Sequence, residues 1–456
     1  MRYITACRKS LPALVLLAFA GLLVSAEVTA ETTARLGADL TPLGAEAAGN
    51  AGGTIPPWQG GITQPPEGYQ PGMHHPDPFP GDKPLFVITA KNVHEHESHL
   101  SPGQIALFHR YPDTFRMPVY PSRRTASLPQ RLYERTIANA TTATLTEQGN
   151  GVLNAAEGIP FPIPQNGLEA VWNHLLRYRG TTLSTAAGQA IPTADGAYVM
   201  VRLKEDILWP YHQPGATVST IDNKLAYFRQ EVLSPPRLAG QLLLVYETLN
   251  QAAEPRKAWT YNPGQRRVRR APNVGYDNPG TASDGQRTND QSDIFNGAPD
   301  RYDWTLVGKK ELYIPYNSYR LHSDQNRFED ILQPGHLNPD LTRYELHRVW
   351  VVEARLKEDM RHIYERRTFF LDEDSWQIAI ADQYDGRGEI WRVSEAHTIN
   401  YYEVPLTWTT ATTVYDLQNG RYLVQGLSNE FEPARFDHPL ARNRFTTEAL
   451  RQHGRR

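Results

Sequence analysis

Residues 343–393 read RYELHRVWVVEARLKEDMRHIYERRTFFLDEDSWQIAIADQYDGRGEIWRV. Alternation decides what they are. In HRVWVVEARL, the residues Trp350, Val352, Ala354 and Leu356 fall on one side of an extended chain. In WQIAIAD, Trp376, Ile378 and Ile380 do the same, and in GEIWRV so do Trp391 and Val393. β-Branched and aromatic residues crowd these runs, as suits a pleated, half-buried surface. Glu373-Asp374 and Asp385-Gly386 separate them at hairpin spacing. The stretch therefore reads as antiparallel neighbours in a sheet.

The pattern continues on both sides. QLLLVYET, ELYIPY, TWTTATTVYD and RYLVQGL add strands, with Asn419-Gly420 as a further turn. Strands and helices do not alternate, which argues against a parallel nucleotide-binding sheet. KAWTYNPGQRRVRR (257–270) predicts a hairpin. Trp259 and Tyr261 point one way, Ala258 and Thr260 the other, and Val268 continues the apolar face. Asn262-Pro263-Gly264 suits a turn with glycine at positive φ. Arg267 and Arg269 lie on the opposite face, while Arg266 and Arg270 share Val268's face nearer its edges. A solvated basic side explains these cations. The functional alternative sets Arg266 and Arg270 against an anionic head group at the mouth of a groove, where they steer and orient a ligand.

Two zones precede this sheet region, which is assigned to 236–456. Residues 31–91 show little periodicity, and GGTIPPWQGGITQPPEGYQPG is Pro/Gly punctuation. They read as an extended arm lying on the body, anchored by Trp58 and Tyr69. Residues 92–235 contain helices that cover the sheet, 92–456 forming one domain. NGLEAVWNHLLRYRG begins at an Asn166 cap with Glu169 three residues on, aligns Leu168, Val171, Trp172, Leu175 and Leu176, and stops at Gly180. Ser101-Pro102 opens a second helix through Ile105 and Phe108. The expected fold class is α+β, mostly β: a large curved antiparallel sheet covered by helices.

Residues 1–30 combine a basic start (Arg2, Arg8, Lys9), an apolar run from Leu11 to Val24 and small residues before Ala26 and Ala30. This is the pattern of a cleaved secretory signal. Cys7, the single cysteine, precedes the apolar run and so is not a lipoprotein acylation site. Cleavage would leave a thiol-free chain of 426 residues, exported to the periplasm, without disulfides or thiolate chemistry. The formal charge is −3, and losing the leader makes it −5. A mildly acidic exported chain is a poor nucleic-acid binder.

No G-x-S-x-G elbow, H-E-x-x-H or phosphate-cradling glycine motif occurs. HEHESH (His94, His96, His99), near His74-His75, resembles a metal tract, but its three imidazoles do not converge in a helix or a strand. The loop DNPGTASDGQRTNDQSDIFNGAPDRYDW carries Asp277, Asp284, Asp290, Asp293, Asp300 and Asp303 at spacings that fit no EF-hand. It reads as a long loop capping the sheet. Glu373 and Asp374 are turn residues, and Arg123-Arg124 anchor the chain by salt bridges. No catalytic residue, metal or cofactor is assigned.

AWTYNPGQRRVRRAP (258–272) resembles the Trp-x-Tyr/Pro/Arg hairpin of bacterial periplasmic proteins described as homologues of outer-membrane lipoprotein-sorting factors. LGADLTPLGAEAAGNAGGTIPPWQGG, YPDTFRMPVYPSRRTA, GIPFPIPQNGLEAVWNHLLRYRG, FNGAPDRYDWTLVGKKELYIPYN and the opening stretch resemble one large Gram-negative family of unknown function. That resemblance spans nearly the whole mature chain. It implies a fold similar to the Lol-type lipoprotein carriers: an incomplete antiparallel barrel with a helical lid around an apolar cavity. It implies no established reaction. It also implies association with outer-membrane proteins and exporters of the resistance–nodulation–division class. The chain departs from lipidated carriers in lacking an acylation cysteine, and it is much longer than the lipoprotein carriers.

A lidded sheet can take an apolar ligand out of water at about 25 cal/mol per Å². The expected lining is Trp259, Tyr261, Trp350, Trp376, Ile378, Ile380 and Trp391, with a solid core as the alternative. The expected function is thus a periplasmic carrier for a hydrophobic, lipid-like molecule. A non-catalytic assembly factor for an export system would show an exposed apolar patch, and an envelope hydrolase would show convergent acids and bases.

Overall fold

The computed structural model describes residues 30–271 and 276–454; the leader and Cys7 lie outside them. Sixteen strands join in one sheet whose two ends do not pair with each other. From one edge, Tyr302–Pro315 pairs with Tyr344–Leu356, followed by Arg366–Asp372, Ile378–Tyr384, Ile390–Tyr401, Leu406–Asp416 and Tyr422–Leu427. The order then returns to Thr182–Ala190 and continues through Val201–Leu208, Lys224–Ser234, Leu242–Thr248 and the hairpin Lys257–Asn262/Arg267–Arg270. All these pairings are antiparallel; Tyr344 and Glu345 additionally meet Val119 and Tyr120 in parallel. At about 20–25° between neighbours, so many strands cannot lie in one plane. Among the described residues no helix is long and apolar enough to cross a membrane.

The zone expected only to cover the sheet also builds it. Thr182–Ala190, Val201–Leu208 and Lys224–Ser234 are three central strands. Thr182–Ala190 (TLSTAAGQA) has few large apolar residues to mark it, whereas VRLKEDIL does alternate at its start, with Arg202 and Lys204 exposed and Val201 and Leu203 buried.

The sheet is covered on both faces. On the inner face lies the helix Gly167–Leu176, capped by Asn166 Oδ1 accepting from Glu169 N at 3.0 Å. It ends at Leu176, and Gly180 takes its positive φ of 86° three residues beyond the Arg177 cap. Trp172, Leu175 and Leu176 join one apolar cluster with Val352, Ala354, Phe369, Leu371, Trp376 and Ile378. Gly167 makes the approach possible: a Cβ there would stand 2.9 Å from Thr305 N on the edge strand. On the outer face the helix Pro102–Arg110 starts with a Ser101/Gln104 capping box. Asp382, in the sheet, accepts from Ser101 Oγ and Gly103 N, both at 3.0 Å. Burial pushes the Asp382 carboxyl up to about 7, against these two donors.

The arm is pinned to the hairpin tip 372–377. Trp376 Nε1 donates to Leu43 O at 2.9 Å, and the Trp376 ring stacks on Trp350 at 6.2 Å. Arg124 grips Asp374 at 2.6 and 2.8 Å while donating to Glu46 O at 2.8 Å. The arginine pair thus does anchor the chain, and Glu373 and Asp374 are buried ion-pair partners rather than simple turn residues. Trp58 packs edge-on against Tyr133, and Tyr69 donates to Glu403 at 2.8 Å.

Trp376 is fully buried and holds φ at 60°, a left-handed conformation that costs a bulky residue about 1–2 kcal/mol. Its packing offsets that strain. Trp376→Ala is therefore expected to lower stability by about 3–5 kcal/mol, read as a shift of the urea midpoint. A shift equivalent to less than about 1 kcal/mol would mean that the ring is not core.

Candidate functional site

Beside the helix Gly167–Leu176, the inner face carries a cavity of about 110 Å³. Its floor comes from alternate residues of adjacent strands: Ile207; Ala226, Phe228 and Gln230; Leu243, Val245 and Glu247. Strand alternation fixes this side, because Leu242 and Leu244 point the other way into a cluster with Tyr227 and Tyr261. Trp209 and Arg179 close one side. The roof is the aspartate-rich loop, through Thr281, Arg287, Asn289, Ser292 and Asn296.

That loop holds itself in part, through the bridge Pro279–Thr288 and the short 3-10 turns Asn289–Gln291 and Pro299–Arg301, and side chains of the body complete its attachment. Gln189 Nε2 donates to Thr281 O and Ala282 O at 3.1 and 2.8 Å. Arg392 donates to Gly285 O at 2.8 Å and Arg256 to Asn296 O at 2.7 Å. His174, on the inner helix, reaches Asp293 O and Phe295 O from Nε2, both at 3.1 Å. Two buried ion pairs complete the attachment. Asp290 meets Arg367 at 2.6 Å and His362 at 3.1 Å. Asp293 meets Arg177 at 2.6 Å and Arg179 at 3.0 Å. Asp293 and Ile294 both sit in the left-handed region, at φ 54° and 64°, which the ion pairs help to hold.

The electrostatics follow from burial. Desolvation opposes ionisation of Asp293, but Arg177 and the neighbouring cations prevail and bring its carboxyl down to about 2. Desolvation, with Arg177 as like charge, lowers Arg179 to about 10. Arg287 is 7% exposed and also falls to about 10 through burial, with Glu205 as its opposing charge. The cavity is thus an apolar floor under a polar, cation-bearing roof.

The residues expected to line a cavity do not gather here. Trp376 and Ile378 are fully buried in the inner cluster, and Trp350 packs beside them at a separate cleft with Lys309 and Pro162. Ile380 departs from its expected face, because a bulge between Phe370 and Leu371 inserts Ala379 and turns Ile380 to the opposite side. Trp259 and Tyr261 sit opposite Leu244 and Leu242, so they face away from the cavity. The C-terminal helix Thr447–His453 covers them, with Tyr261 Oη donating to Gly454 O at 2.6 Å. Trp391 occupies a bulge and lies edge-on to Tyr364 at 5.6 Å. Arg266 and Arg270 are exposed on the edge hairpin, away from the cavity wall. The turn there differs too: Arg266, not Gly264, takes the positive φ, at 52°.

The residues that form the chamber left one signal in the sequence. Arg287 is the single cation between Asp277 and Asp300. Capping over the sheet was legible for this loop; an inward guanidinium was not.

Other titratable clusters hold the fold together. His347, Asp372 and Asp374 bring ligand-type atoms within 4.8 Å of one another. Their valences are engaged: Glu345 takes His347 at 3.1 Å, Ser375 donates to Asp372 at 2.5 Å, and Arg124 holds Asp374. In HEHESH, His96 stacks on Phe86, His99 bonds Glu311 O at 2.9 Å and His94 is exposed.

Asp293→Asn keeps the shape and removes the charge facing two arginines. It is expected to cost about 3–5 kcal/mol at pH 7. The native carboxylate is depressed, so its contribution is complete above about pH 4 and is lost as pH falls towards 2. The gap between native and variant proteins in urea unfolding should therefore narrow at pH 3. An equal gap at both pH values would contradict the assignment.

The chain is similar to several known proteins. A protein of Pseudomonas aeruginosa, described as uncharacterized, is 51% identical over 432 residues, covering 94% of this chain and 95% of its own. An outer membrane lipoprotein-sorting protein domain from Vibrio parahaemolyticus is 14% identical, with a TM-score of 0.43 over 62% of this chain and 98% of that one. A DUF1329 family protein from Desulfovibrio piger is 18% identical, with a TM-score of 0.41 over 60% and 92%. The sequence profile of DUF1329, proteins of unknown function, matches residues 87–451. The chain belongs to the DUF1329 family.

Proposed function

We propose that this protein is a non-catalytic binding protein, or carrier, for a small molecule with an apolar part, held between the strands 201–248 and the aspartate-rich loop. The cavity carries the reading. Binding sites are concave and join apolar surface to placed polar groups; Phe228, Leu243, Val245 and Ile207 supply the first, and Arg287, Asn289 and Ser292 the second. Each 100 Å² of apolar ligand surface removed from water would contribute about 2.5 kcal/mol.

Size sets the class of guest. A volume of about 110 Å³ is somewhat below the ~150 Å³ of an apolar cavity that accepts benzene. The enclosed part is one ring or a short acyl segment, and a longer tail would extend through the mouth. This narrows the expectation of a lipid carrier. The roof is held by buried ion pairs, so a whole diacyl lipid is not the guest of this conformation. Export to the periplasm and a place in envelope lipid or lipoprotein traffic remain part of the proposal, on the strength of the leader and the family resemblance.

The test uses the neutral fluorophore N-phenyl-1-naphthylamine. The native protein should enhance its fluorescence saturably. Val245→Trp fills the floor at an overpacking cost of about 1–3 kcal/mol and should weaken binding at least tenfold while the protein stays folded by circular dichroism. No saturable enhancement by the native protein, or equal binding by the folded variant, would overturn the reading.

A further inference from the structure

We propose that the ligand is an amphiphile with an anionic oxygen group, and that Arg287 is the residue that binds this group inside the cavity. The inference rests on the binding reading above and names the chemistry of its ligand.

Arg287 is built in rather than draped over the surface. It is 7% exposed and lines the cavity. Its guanidinium lies so close to Gly280 that a Cβ there would stand 2.4 Å from Nη1. Thr288 O, at 3.3 Å from Nη1, is a weak protein acceptor, and the buried Nε has no partner. No ion pair among the described residues reaches this guanidinium. The nearby carboxylate, Glu205, is engaged by Gln230 Nε2 at 2.7 Å. Every other arginine around the chamber is matched: Arg179 by Asp293 and Arg256 by Glu247. Glu205 acts on Arg287 only through its field and bonds Gln230 instead, and a buried guanidinium that no carboxylate bonds loses hydration and gains little in return. An apolar residue of similar volume would serve a core at least as well, so the guanidinium has a use only where a negative charge meets it.

The surroundings say what that something is. Arg287 presents a planar fork suited to a carboxylate or a phosphate monoester. Beneath it the floor is Phe228, Leu243 and Val245, which offers nothing to a free inorganic anion. Charge at the roof and hydrocarbon at the floor fit a molecule with both parts. Two further buried polar atoms without partners, Gln230 Oε1 and Arg179 Nε, belong to residues of the same chamber, and they suit a hydrated or hydroxylated head.

Calorimetry with octanoate, octyl phosphate, 1-octanol and inorganic phosphate tests this, on the native protein and on Arg287→Met. The methionine keeps the volume and apolar contacts while removing the charge. The native protein should bind octanoate or octyl phosphate at least tenfold more tightly than 1-octanol, and either should outcompete inorganic phosphate; which of the two is preferred identifies the head group. Arg287→Met should lose the preference for the anion while still binding N-phenyl-1-naphthylamine. Gly280→Ala, which displaces the guanidinium without deleting it, should weaken the anion alone and serves if the methionine variant does not fold. Equal affinity for octanoate, octyl phosphate and 1-octanol, or an unchanged anion preference in either variant, would overturn the proposal. Native protein that binds the neutral fluorophore without preferring the anions defeats this inference alone, whereas native protein that binds no apolar probe defeats the binding reading with it.

Discussion

Asp293 between Arg177 and Arg179 is the contact on which the rest depends. The inner helix supplies Arg177 at its C-terminal cap, the strand Thr182–Ala190 begins shortly after Arg179, and the loop supplies the carboxylate. One buried charge thereby joins the helix that fills half of the inner face to the loop that roofs the other half. A second pair, Asp290 with Arg367, repeats the arrangement from the sheet itself. The loop adds Ile294 and Phe295 to the inner apolar cluster, and these pairs hold the rest of it over Phe228 and Val245.

This division of the inner face reconciles a packed core with a chamber. Where Trp172, Trp376, Phe369 and Val352 meet, aromatic volume closes the space completely. Where the strands carry Ile207, Leu243 and Val245, the cover is a loop, whose irregular backbone follows the floor less closely than a helix packed with aromatic side chains. The chamber is small because the loop is pinned at several points, and it is polar on one side because pinning used arginines and aspartates.

Much of the sheet was legible. Trp350, Val352, Ala354 and Leu356 do share the inner cluster, as their alternation implies. Ile380 does not share Trp376's face, because a bulge is one extra residue that leaves no mark on composition. Trp259 and Tyr261 were correctly paired with each other, yet alternation states only that two residues share a face, not which face is the inner one. That choice belongs to the C-terminal helix, whose seven residues were not read as a cover. The helix caps at Ser101 and Asn166 were read directly, since capping is local chemistry. The chamber was not, because its walls come from Ile207, Phe228 and Val245 on three separate strands and its roof from Arg287, and nothing local links them.

The central claim is that this chamber exists to hold a guest. The most direct measurement is mass spectrometry of organic extracts from the protein isolated, without detergent, from cells that make it naturally. The account predicts a recurrent small amphiphile at near-stoichiometric amount, absent from a parallel preparation in which Val245→Trp fills the floor. The same extract profile from both preparations would contradict it.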